Sequence, residues 1–198
     1  MNAVAQILND LYRRYMNMFQ RRYASLNLAL AVGISLLVLS KNVLAQSVPD
    51  YVTKQVPEAK VVGNAMFTYL FWDVYDATLY APKGEWQSNA PFALKLDYQR
   101  GLDGKKIAQR SVDEMRKQGI SDEAKLSEWR DKMVALFPDV EDGDVITGVA
   151  TTNRASEFYI NGELVGKIED ENFTQAFFDI WLSEKTSEPK LRKALLQN

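Results

Sequence analysis

The sequence predicts an α+β fold, a large antiparallel sheet covered on one side by a layer of helices. Three observations carry this. The stretch Val61 to Pro82, VVGNAMFTYLFWDVYDATLYAP, contains no Lys, Arg or Glu and only two charges, Asp73 and Asp76. Its aromatic and β-branched residues suit a pleated, packed surface better than a helix. The middle of the chain then switches to helical spacing, first over Ile107 to Met115 and again over Leu126 to Phe137. Later, Asn161-Gly162 separates two short apolar runs, the strongest local signal for a tight hairpin.

Residues 1–45 differ from the rest. Arg13, Arg14, Arg21 and Arg22 precede an apolar run from Leu26 to Leu39, and Val43-Leu44-Ala45 places small residues before Gln46. This is the pattern of a secretory signal peptide cleaved after Ala45. The run falls short of the ~20 apolar residues of a membrane span; the alternative reading is an uncleaved N-terminal membrane anchor. Cleavage implies a periplasmic chain with no membrane insertion afterwards. Residues 46–57, with Pro49 and Pro57, read as a lead-in, and residues 58–198 as one domain.

The whole chain carries 24 basic and 26 acidic residues. Removing the five basic and one acidic residues of positions 1–45 leaves 19 against 25, a net of −6. A negative domain with scattered lysines and no basic run argues against nucleic acid and against anionic membrane surfaces as partners. The chain has no Cys and no His. That excludes Ser-His-Asp and Cys-His catalysis and any Cys- or His-ligated zinc or haem. Asp, Glu, Lys, Tyr and Arg remain for acid–base work. The carboxylate-rich segment Asp139 to Asp144 does not fit a calcium loop, because the required glycine and the closing Glu are out of place. No metal and no cofactor is expected.

Within the opening stretch, alternation puts Ala65, Phe67, Tyr69 and Phe71 on one face and Val62, Met66 and Leu70 on the other. This half is expected to be covered on both faces. The second half sets Tyr75, Ala77 and Leu79 against Asp76, Thr78 and Tyr80, an amphipathic strand, with the break near Trp72-Asp73. Phe92 to Gln99 alternates as a half-buried strand. A helix with the stripe Ile107, Ala108, Ser111, Val112 and Met115 ends at Gly119. A second helix, capped by Ser121, carries Leu126, Trp129, Met133, Val134 and Phe137 and is stopped by Pro138. Val145–Thr152, Glu157–Ile160 and Glu163–Ile168 are strands. The face Phe173, Ala176, Phe177, Ile180 and Trp181 belongs to the most apolar helix, which should lie on the sheet. Ser187 caps a last helix with Leu191, Ala194 and Leu195 buried.

Val62-Gly63 at a strand start, Val74-Tyr75-Asp76-Ala77, Leu79-Tyr80-Ala81-Pro82, Pro91-Phe92-Ala93-Leu94, Phe158-Tyr159-Ile160-Asn161-Gly162 and Ala176-Phe177-Phe178-Asp179-Ile180-Trp181-Leu182 occur in an order and spacing that resembles the bacterial chalcone isomerase-like family. The resemblance covers residues 58–198. It implies an open-faced β-sandwich with a ligand cleft between the large sheet and its helices. In catalytic members an arginine early on the first strand stabilises developing negative charge, and non-catalytic relatives hold a fatty-acid carboxylate with it. The corresponding place here is Ala65 to Phe67, no Arg occurs between residues 23 and 99, and Tyr75 stands where a threonine is usual.

The departure points to a non-catalytic exported module holding an apolar, fatty-acid-like small molecule or a periplasmic protein partner. The alternative is an isomerase or lyase acting through Tyr and Arg. Phe67, Tyr69, Tyr75 and Tyr98 from the strands, with Phe177 and Trp181 from the covering helix, are the expected ligand-binding residues. Tyr159 is a further candidate phenol. A buried ionised carboxylate without a partner costs several kcal/mol, so an acidic ligand requires a substitute cation. Arg100 is nominated first and Arg154 second.

Overall fold

The computed structural model of the chain describes residues 48–197; the expected signal peptide over residues 1–45 lies outside them. A single sheet of six antiparallel strands runs in chain order. Its members are β1 (Ala59–Tyr69), β2 (Trp72–Pro82), β3 (Phe92–Tyr98), β4 (Val145–Ala150), β5 (Ser156–Ile160) and β6 (Glu163–Ile168). The helices are α1 (Asp50–Gln55), α2 (Gly104–Lys117), α3 (Glu123–Leu136), α4 (Glu171–Leu182) and α5 (Pro189–Leu196). The open-faced, helix-covered α+β architecture expected from the sequence is the one found.

The main core forms between one sheet face and α2 to α5. Ala77, Leu79, Phe92, Leu94, Leu96, Tyr98, Ile146 and Phe158 supply the sheet side. Ala108, Val112, Met115, Leu126, Trp129, Met133, Phe173, Phe177, Phe178, Trp181, Leu191 and Leu195 supply the helix side. Helical spacing puts each set on one stripe. Local chemistry places the helix ends. Asp103 caps α2 by accepting from the Lys106 amide, and Asp122 caps α3 by accepting from the Lys125 amide. Asp170 caps α4 and also accepts from the Trp129 indole at 3.0 Å, tying α3 to α4.

Two of the expected caps are corrected. Ser121 is not the cap of α3, since Asp122 is the residue whose carboxylate reaches the third amide. Ser187 does not cap α5; its hydroxyl donates to Glu114 at 2.6 Å instead, and Ala194 lies exposed beside the buried Leu191 and Leu195.

The opening ribbon is two strands, as one of the two readings held, but its turn is at Leu70-Phe71, two residues before the expected break. The covering of the two halves is the reverse of the expectation. β1 is an edge strand with an exposed face, where Met66 is 43% exposed, whereas β2 is buried on both faces from Ala77 to Ala81. Of the two, β1 is the sheet edge, whereas β2 lies inside the sheet and has its second face covered where Tyr80 packs with Val52 and Val56. A register shift between Val61 and Gly63 also returns Val62 to the face of Ala65 and Phe67, where strict alternation opposes them. Gly63 is required by contact, because a Cβ there would lie 2.4 Å from the Ala194 carbonyl oxygen of α5.

On the other sheet face a smaller core joins Tyr80, Ala93, Val149 and Tyr159 to Val52 and Val56. The segment read as a lead-in therefore contains α1, which lies on that face. Tyr51 stacks on Tyr159 with ring centroids 4.7 Å apart and shares a 3.0 Å hydrogen bond with the Thr147 hydroxyl. The hairpin at Asn161-Gly162 is formed as expected, with both residues at positive φ (50° and 88°). Asn161 does further work there, accepting from the Val145 amide at 2.8 Å and donating to Asp144 at 2.9 Å.

Candidate functional site

The sheet and helix layer do not close on each other everywhere. Between them is a cavity of about 260 Å³, walled almost wholly by apolar atoms. Its floor is Phe67 of β1, Val74 and Tyr75 of β2, Leu96 and Tyr98 of β3, and Ile146 of β4. Phe177, Ile180 and Trp181 of α4 and Leu191 of α5 form its roof, and Ile107, Arg110, Ser111 and Glu114 of α2 form a side.

Aromatic contacts fix the floor. Phe67 stacks on Tyr75 at 5.0 Å, and Tyr75 meets Tyr98 edge-on at 5.8 Å. The Trp181 indole donates to the Tyr75 hydroxyl at 3.0 Å, bridging roof and floor. Burial pushes the Tyr75 phenol well above its ordinary value, with the Trp181 hydrogen bond offsetting part of the rise. Burial raises the Tyr98 phenol further. Both therefore stay protonated across the neutral range, so they can donate hydrogen bonds but are poor proton acceptors.

The polar groups are confined to α2 and the residues just before α5. Lys106, Arg110 and Glu114 recur at four-residue spacing and so share the cavity side of α2, joined by Ser187 and Glu188. Glu114 is 5% exposed and fully engaged: Arg110 lies at 2.7 Å, Lys117 at 2.9 Å and the Ser187 hydroxyl at 2.6 Å. Burial alone would raise its carboxyl, but the hydrogen bonds from Ser187 and Lys117 and the charge of Arg110 outweigh it and hold it below the usual range. Arg110 is thus already paired. Lys106 makes no ion pair among the described residues, which leaves it as the uncommitted cation of the cavity wall.

Of the residues nominated from sequence, the structure brings Phe67, Tyr75, Tyr98, Phe177 and Trp181 together around this one cavity. Tyr69 and Arg100 are not among its lining. The register shift beside Phe67 leaves Val74 of β2 unpaired and does not interrupt β1; Tyr69 lies beyond the last residue of the ribbon that pairs with β3 and sits exposed near the ribbon tip. β3 stops at Tyr98, and Arg100 turns to lie over the Trp72 ring, 5.2 Å from its centroid. Arg154 is elsewhere too, paired with Glu171 at 2.7 Å on a smaller, more polar cavity beside Trp86 and Asp179. Tyr159 belongs to the opposite sheet face.

Sequence reasoning missed Lys106, Arg110 and Glu114 because it sought a replacement cation on the strands. The signal was present in α2, where Lys106 and Arg110 each directly precede a residue of the apolar stripe, Ile107 and Ser111.

The comparisons agree with this architecture. The model of a family described as chalcone isomerase-like matches residues 40–197. An uncharacterized protein of Haemophilus influenzae is 30% identical over 136 residues, which cover 68% of this chain and 66% of that protein, just under two thirds of its length. The crystal structure of an Arabidopsis thaliana fatty-acid binding protein superposes with a TM-score of 0.57 at 13% identity, covering 72% of this chain and 88% of that one, a likeness of fold. With the family model matched across the whole described region, the chain belongs to the chalcone isomerase-like family.

Proposed function

We propose that this chain is an exported, non-catalytic binding module that holds an apolar, fatty-acid-like small molecule in the cavity between sheet and helices. The observation that carries this is the cavity itself, an apolar space of about 260 Å³ left open between sheet and helices. That is just below the ~300–1,000 Å³ of ordinary ligand pockets, so it suits a small ligand or part of a longer chain. Burial is worth ~0.8 kcal/mol per methylene, enough for micromolar affinity without a strong polar anchor. Lys106 is the cation for an acidic end, since Arg110 is already held by Glu114. The fold shared with a fatty-acid binding protein supports the same reading.

The floor supports a role without catalysis. The residues at the family's arginine place are apolar; Ala65 and Phe67 face the main core, and Phe67 reaches the cavity. Burial raises the Tyr75 and Tyr98 phenols, which disfavours either as the base of an isomerase or lyase.

The test is displacement of a fluorescent fatty acid from the full chain and three variants. Trp181→Ala should weaken binding about tenfold or more and Lys106→Ala about threefold to tenfold, while Arg100→Ala should leave it unchanged. Absence of binding by the wild type overturns the proposal and favours a protein partner. An effect of Arg100→Ala equal to that of Lys106→Ala overturns the assignment of the anchor.

A further inference from the structure

The β1–β2 ribbon ends in four consecutive large apolar residues that no described part of the chain covers. Tyr69, Leu70, Phe71 and Trp72 are 56%, 73%, 94% and 63% exposed. Single exposed apolar side chains are ordinary, but a contiguous patch of them marks an interaction surface. The ribbon also overhangs the sheet. β3 pairs with β2 only from Tyr75 to Tyr80, whereas β1 and β2 remain paired out to Tyr69 and Trp72. Two residue pairs, Thr68 with Asp73 and Tyr69 with Trp72, lie beyond the last β3 pair and at ~3.3 Å each carry the tip about 7 Å past it, although the Gln99 amide still donates to the Val74 carbonyl.

Composition and charge select the occupant. Tyr and Trp bracket Leu and Phe, so the most apolar residues are outermost and the amphipathic rings stand one step behind. That is the layering of a membrane–water interface, where Trp and Tyr sit at headgroup depth. The Arg100 guanidinium lies over the Trp72 ring at the same level, a cation matched to lipid phosphate. The adjoining carboxylate, Asp73, is occupied by the Thr68 hydroxyl at 2.7 Å. The ribbon is also continuous with the cavity: Phe67, two residues before Tyr69, and Val74, two after Trp72, both line it.

We propose that the Tyr69–Trp72 tip is a membrane-docking element, with Leu70 and Phe71 entering the acyl region of a bilayer and Arg100 meeting lipid phosphate. The overhang matches the ~5–10 Å to which interfacial segments bury their apolar residues. Docking would bring the cavity wall next to the lipid, letting an apolar ligand pass between the two with little exposure to water. Docking does not depend on which ligand the cavity takes.

The absence of cysteine makes the test clean. Phe71→Cys and, at the far end of the sheet, Ser88→Cys are made separately in the full chain and labelled with an environment-sensitive fluorophore. Each is mixed with vesicles of phosphatidylethanolamine and phosphatidylglycerol containing nitroxide-bearing lipid. The label at position 71 should be quenched and that at 88 should not. Adding Leu70→Ser and Trp72→Ser to the Phe71→Cys chain should reduce quenching to the level seen at 88. Equal quenching at both positions, or none at 71, overturns the proposal. A change in emission at 71 that depends on protein concentration without vesicles also overturns it, in favour of association between copies. None of these readings uses the fatty-acid probe, so failure of the cavity assignment would not be mistaken for failure of docking.

Discussion

The two faces of the sheet are built from the same strands and solve different problems. Towards α2–α5, bulky aromatics meet edge to face, as in Phe158 against Phe137 and Phe177 at 5.1 and 5.2 Å, yet a cavity remains beside Tyr75 and Tyr98. Towards α1, Val52, Val56, Tyr80, Ala93 and Val149 are all completely buried, and one short helix suffices. The first face is wide and roofed by four helices that abut without covering every residue. The second is narrow and covered only at its centre. The difference teaches that a hollow is located by where helices meet, not by how apolar the strands are.

The strongest way to break this comparison is to empty each face in turn. Phe158→Ala, on the filled part of the helix-covered face, should cost ~3–5 kcal/mol in urea unfolding. Val52→Ala, on the α1 face, should cost less, because a whole buried Val is worth ~1.5–3 kcal/mol. If Val52→Ala left stability unchanged, α1 would be an ornament rather than a wall.

A sharper test fills the hollow instead. Ile107→Phe adds volume where space already exists, so stability should change by less than ~1.5 kcal/mol, while displacement of the fluorescent fatty acid falls by about tenfold or more. The same enlargement at the filled site Val112→Phe should destabilise. Equal destabilisation by both substitutions would show that the cavity closes in solution.

The smallest effect concerns acid. Glu114 has its folded-state carboxyl held below the unfolded value, so it adds stability above the unfolded pKa, and that contribution is lost as pH falls through the lower, folded value. In Glu114→Gln the loss of stability between neutral pH and about pH 4 should be shallower than in wild type, measured as the urea midpoint against pH. An unchanged slope would mean that the Arg110–Glu114–Ser187 cluster contributes nothing to the cavity wall.

What the sequence disclosed depended on whether a signal was periodic. The stripes of α2, α3 and α4 and the Asn161-Gly162 hairpin were legible because each is a repeating or local constraint. The aromatic floor residues Phe67, Tyr75 and Tyr98 were legible because they lie in uninterrupted alternation. Tyr69 was misplaced because alternation does not mark where the neighbouring strand and its cover stop, two pairs short of the ribbon tip. The ribbon turn was placed late because its exposed Leu70 and Phe71 read as strand interior. α1 went unseen since six residues between Pro49 and Pro57 offer too little periodicity, and its stability comes from Tyr80, Val149 and Tyr159, which are far away in the chain. The cations were missed because their neighbours are set by the packing of α2 on the sheet.

The strand order has a consequence for biogenesis. Every described strand after β1 pairs with the one made just before it, so the sheet can grow as the chain emerges, each step closing a short loop except β3 to β4, which spans α2 and α3. The inner face of β1 is the exception. Its Gly63 is fitted to the carbonyls of Ala194 and Leu195, in a helix that ends at Leu196. β1 therefore waits for α5, and in that interval an apolar edge strand stands uncovered, the state in which sheets recruit strange partners.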